Sequence, residues 1–168
     1  MTQPSERPAF TSSQRAGLET RRTDQDRTLD AIHSLEAAFG SAAPGREGNW
    51  QADVLAALTS LDEATLEEQH NADQVDSLLS DIARTQPRLR NRVRGLRSQY
   101  RQARDTIQTL REELDAPRDD DHLDYADVRQ RLTWLLSALR HQRSRESDLI
   151  YEAYYDAFNT DIETERAR

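Results

Sequence analysis

The chain has 168 residues, a formal net charge of −8 and neither cysteine nor lysine. That length suits one domain with its own core, and the missing cysteine excludes disulfides, thiolate catalysis, iron–sulfur clusters and cysteine-bound zinc. No apolar run approaches the roughly 20 residues that span a bilayer, and Met1 to Phe10 lacks a positive-then-apolar signal layout, so a cytoplasmic protein with no membrane role is expected.

Glycine and proline punctuate the sequence at Gly40, Pro44, Gly45, Gly48, Pro87 and Pro117, leaving four long segments. The first is predicted helical from about Ser13 to Phe39, capped by Ser12 or Ser13 and stopped at Gly40, with Leu18, Leu29, Ile32, Leu35 and Phe39 on one stripe. The second starts at Asn49 or Trp50 and uses Trp50, Val54, Leu58, Leu61 and Leu66. It reaches Leu78, Leu79 and Ile82 before Pro87, with a kink expected around Asn71.

The third segment is the most regular, with Leu89, Val93, Leu96, Tyr100, Ala103, Ile107, Leu110 and Leu114 alternating four and three apart. The fourth follows Asp119, Asp120 and Asp121, whose carboxylates suit a helix N-terminus. Its seam runs Val128, Leu132, Leu135, Leu139, Gln142, Glu146, Leu149 and Ala153. Long amphipathic helices with short connections predict an all-α fold, an antiparallel up-down-up-down four-helix bundle over residues 13–160. A disordered arm at 1–12 and a flexible tail at 161–168 flank it.

Charge is blocked along the chain. Residues 47–83 carry nine acids and no base, and 84–104 carry eight arginines and no acid. Antiparallel neighbours of opposite sign neutralise each other in their shared groove, which favours a structural role over nucleic-acid binding. Arg88, Arg90, Arg92, Arg94 and Arg97 are the residues that a nucleic-acid role would use.

Polar residues interrupt every seam near mid-height: Arg22 and Gln25 on the first helix, His70 with Asp73 or Gln74 on the second, Tyr100 on the third, and Gln142 and Glu146 beside His141 on the fourth. At 1.5 Å per residue, Gln25, His70 and Tyr100 fall at about 18 to 20 Å from one end. Buried polar groups must bond each other or surround something. The expectation is therefore either a hydrogen-bonded layer, with Arg22 paired to Glu146 or Asp73, or a pocket for a ligand or metal.

The stretches DSLLSDIARTQPRLRNRVRGLRSQYRQ (Asp76 to Gln102) and LLSALRHQRSRESDLIYEAYYDAF (Leu135 to Phe158) resemble a diverged bacterial branch of the hemerythrin-like four-helix family. Such domains hold two irons through a histidine on helix one, His-x3-Glu on helix two, His-x3-His on helix three and His-x4-Asp/Glu on helix four. Carried over, the resemblance matches His141 and Glu146 in full. Helix two keeps His70 but has Gln74 for its carboxylate, helix three has Tyr100 and Arg104 for its histidines, and helix one has Gln25. It implies a degenerate site with no cofactor expected. The alternative is iron, or a single divalent metal on His70, His141 and Glu146, serving oxygen, nitric oxide or peroxide handling.

Tyr151, Tyr154, Tyr155 and Phe158 supply more aromatic surface than one seam hides, and are candidates for a homodimer contact or a protein partner. No catalytic constellation is present, and the expected function is a non-enzymatic interaction or small-ligand-binding protein.

Overall fold

The computed structural model describes residues 9–41, 45–116 and 123–168, and within them the chain is all-α. The helices are α1 (Ser12–Gly40), α2 (Glu47–Ala72), α3 (Leu78–Thr85), α4 (Arg90–Asp115), α5 (Tyr125–Ala153) and α6 (Tyr155–Arg166), with a 3-10 turn at Pro87–Leu89. None of the described helices is long and apolar enough to cross a membrane.

Local chemistry sets the ends. Thr11 and Gln14 form a capping box at α1, each side chain accepting the other's backbone N–H at 3.1 and 2.9 Å. Asp124 caps α5 by accepting from Ala126 and Asp127. The expected Asp119, Asp120 and Asp121 cap lies outside the described residues.

The second predicted helix is broken, not kinked: α2 ends at Ala72 and α3 restarts at Leu78. Ser77 makes the restart by accepting from Ser80 N and donating to the Ala72 carbonyl at 2.7 Å. Arg97 of α4 reaches the same carbonyl at 3.3 Å and pairs with Asp73 at 3.3 Å, so the end of α2 is satisfied from both sides. The glycine at position 17 lets α3 approach α1, because a Cβ there would stand 3.0 Å from Leu78 Cγ.

Long helices adjacent in the chain run antiparallel. Thr28 meets Glu68 while Phe39 meets Trp50; Gln51 meets Leu114 while Glu68 meets Tyr100; Glu113 meets Arg131 while Tyr100 meets Glu146. Side chains also join α1 to α5, where Arg143 Nη1 donates to the Gln25 carbonyl at 2.8 Å and Arg140 pairs with Glu36.

Among the described residues the core consists of two apolar clusters. One gathers Ile32, Leu35, Trp50, Val54, Leu58, Leu61, Ile107, Leu110, Leu132 and Leu135; the other gathers Phe10, Leu79, Ile82, Leu89, Val93, Leu96, Leu149 and Tyr154. Burial of each large apolar side chain contributes about 1.5–3 kcal/mol.

Two boundaries differ from the sequence expectation. Phe10 is buried and meets Tyr154 and Phe158 at 5.7 and 4.9 Å between ring centroids, so the packed unit begins before residue 13. Residues 161–166 continue α6 instead of forming a loose tail, with Arg15 of α1 bonded to Asp161 at 2.8 Å.

Candidate functional site

Between the two apolar clusters lies a layer of buried polar side chains drawn from all four long helices: Asp24 and Thr28 of α1, Thr65 and Glu68 of α2, Tyr100 of α4, and Gln142 and Glu146 of α5. The convergence expected from seam interruptions is present, but several of its members are not the expected ones.

His70 and His141 are both exposed, and Gln74 is an exposed partner of His70 at 3.2 Å. Glu68 takes the inward place on α2. Arg22 is exposed, and Arg21 is the arginine that faces Glu146, 3.9 Å from its carboxylate. Arg104 lies outside the layer, where it joins Gln108 and Arg111 around Asp62 at 3.2, 3.0 and 2.7 Å. Tyr100, Gln142 and Glu146 are buried as the seam predicts, and Gln25 lies half-buried beside them.

Leu66 is 48% exposed, so counting onward from it sends the stripe to the wrong face. The alternation begun by Val54, Leu58 and Leu61 continues through Thr65, Glu68 and Ala72, and following those spacings would have found Glu68.

At the centre of the layer the Tyr100 hydroxyl lies 3.0 Å from Glu68 Oε1 and 3.1 Å from Glu146 Oε2. Thr28 donates its hydroxyl to Glu68 Oε2 at 2.6 Å. Burial pushes the Glu146 carboxyl up to about 7: Arg21 opposes the shift, the Glu68 charge adds to it, and the neighbouring Tyr100 and Gln25 side chains oppose it. Burial, then the charges of Glu146 and Glu68, hold the Tyr100 phenol well above its ordinary value. Asp24 is held by Asn71, whose amide nitrogen bonds both carboxylate oxygens at 3.1 and 2.9 Å.

The layer communicates with solvent through a cleft of about 340 Å³ between α1 and the α2–α3 break, lined by Thr20, Arg21, Asp24, Asn71 and Leu78, with Glu68, Tyr100 and Glu146 at its inner end. A wider groove of about 680 Å³ crosses the α5–α6 joint past Tyr151 and Tyr155, but its charged residues Arg88, Glu152 and Asp156 are all exposed. Of the aromatic group, Tyr154 is buried and donates to Asp81 Oδ2 at 2.7 Å, Phe158 is half-buried, and Tyr151 and Tyr155 are exposed.

The donor set does not fit the iron site that the hemerythrin-like resemblance implies. Neither histidine faces the layer, and Arg21 occupies the flank of the remaining carboxylate. Among the described residues no group of three or more histidine, aspartate or glutamate side chains is placed to hold a metal ion. Of the arginines in 84–104, Arg97 and Arg104 pair with Asp73 and Asp62 of the acidic block as expected, whereas Arg88 and Arg92 pair instead with Glu152 of α5; together these pairs leave less unopposed positive charge for nucleic acid.

No family model matches the chain, and neither the curated proteins nor the solved structures contain a match to it.

Proposed function

We propose that this chain is a non-enzymatic binding protein, an antiparallel bundle of α1, α2, α4 and α5 that takes a small polar ligand into the cleft between α1 and the α2–α3 break. One observation carries the reading: a solvent-open cleft of about 340 Å³ ends on buried Glu68, Tyr100 and Glu146. Small-ligand sites combine such a volume with a few convergent polar groups on an apolar body, here Gly17, Ala72, Leu78 and Leu79. Asp24, Glu68 and Glu146 face one guanidinium, Arg21, which favours a ligand with a basic nitrogen over an anion.

The hydrogen bonds joining α1 to α5 support closure of the bundle, and the family resemblance enters this reading as helix order alone. Ligand-observed NMR with small amines, alcohols and carboxylates tests it. Binding of at least one class, lost in Thr20→Trp, which fills the mouth without touching the layer, is the expected result. Binding indifferent to Thr20→Trp, or none in any class, overturns it.

A further inference from the structure

The Tyr100 hydroxyl has one proton and lies within bonding distance of two carboxyl oxygens, Glu68 Oε1 at 3.0 Å and Glu146 Oε2 at 3.1 Å. It donates to one of them. The other contact is a hydrogen bond only if that carboxyl carries a proton of its own and donates to the phenol oxygen.

The surroundings decide which carboxyl that is. Glu68 already accepts from Thr28 at 2.6 Å, a contact that suits a carboxylate. Glu146 has Arg21 at 3.9 Å, too far for a hydrogen bond. The chain of donors therefore runs from the Glu146 carboxyl to the Tyr100 oxygen, and from the Tyr100 hydroxyl to Glu68.

We propose that the folded protein keeps one proton on the Glu146–Tyr100–Glu68 chain, and that its loss loosens the floor of the cleft, making the site pH-gated. The gating rests on the reading of the cleft as a ligand site; the trapped proton does not. When Glu146 gives its proton to solvent, two carboxylates compete for one phenolic proton in a buried layer, and like charges there repel.

Every element packed around Glu146 bears on this step. From α1 come the Arg21 guanidinium, the Gln25 amide and Asp24; from α2, Glu68; from α4, Tyr100; and from α3 only Leu78 and Leu79 reach the cleft. Among these groups Asp24, Glu68 and Arg21 leave one net negative charge while Glu146 keeps its proton, and two once the proton is lost.

Infrared spectroscopy and hydrogen exchange of the ligand-free chain test the proposal. Between about pH 5 and 7, above the range in which ordinary carboxyls protonate, a protonated-carboxyl carbonyl band is expected that is absent at higher pH and absent from this window in Glu146→Gln. Over the same range, amides of α1 near Asp24 and of α2 near Glu68, corrected for intrinsic exchange, should lose about tenfold in protection, a tenfold change corresponding to one unit of pKa displacement. Glu146→Gln should hold that protection constant.

A band in that window that survives Glu146→Gln, or no band there in the folded parent, overturns the trapped proton. A band that titrates while protection stays constant overturns the gating. Because no ligand is added, either failure leaves the cleft reading to its own NMR test.

Discussion

Thr28 Oγ1 lies 2.6 Å from Glu68 Oε2, so that a hydroxyl of α1 supplies one of the two hydrogen bonds that a buried carboxylate of α2 receives. Thr28→Val keeps the shape and removes the donor. It should destabilise the protein by about 1–3 kcal/mol in urea unfolding, whereas Thr28→Ser, which keeps the hydroxyl, should cost less.

Glu146 links stability to pH. Its carboxyl is raised from an ordinary 4.5 to about 7 by burial, so the protonated form is the one the fold prefers. The resulting contribution is fully present below about 4.5 and is lost as pH rises through about 7; the displacement corresponds to about 3 kcal/mol. Glu146→Gln keeps the neutral form, and its stability relative to the parent should rise across that window in denaturant titrations at stepped pH. Arg21→Met removes a charge that favours the carboxylate, and should shift the parent's loss to higher pH.

Asp81 behaves in the opposite sense. Burial pushes its carboxyl up, but hydrogen bonds from Tyr154 and Gln14 and the nearby Arg84 outweigh that and leave it below its ordinary value. The stability it contributes is present above about 3.8 and is lost as pH falls through the depressed folded value. Tyr154→Phe removes the 2.7 Å bond, and acid unfolding followed by circular dichroism should then begin at a higher pH.

Gly17 has a context-dependent worth. In an exposed helix, glycine to alanine gains about 1 kcal/mol, but here the new Cβ would meet Leu78 Cγ at 3.0 Å. Gly17→Ala should destabilise the parent and stabilise a Leu78→Ala background. The sign change in a double-mutant cycle by urea unfolding is the check.

Much of this organisation was legible in the residues. The α4 seam, from Leu89 to Leu114, is buried at every position named for it, because its four-and-three spacing runs without interruption. Gln142 and Glu146 were found the same way on α5. Counting from Leu66, an exposed leucine, carries the stripe of α2 to His70 and the wrong face, and the stripe of α1 turns not through Arg22 but through Asp24 and Thr28, polar residues that periodicity alone does not count as core. The break after Ala72 was legible only as a bend. It depends on Ser77 and on Arg97 from a distant helix, and contacts of that range leave no local pattern.

The division of the interior has a practical consequence for any optical study. Trp50 belongs wholly to one apolar cluster, and the other tryptophan, Trp134, is 63% exposed on the outside of α5. Neither indole borders the half that holds Leu79, Val93 and Leu149. Partial melting of that half would leave the emission of Trp50 nearly unchanged, so a fluorescence transition would date only the collapse of the opposite half, and tyrosine absorbance or amide exchange would register the earlier event.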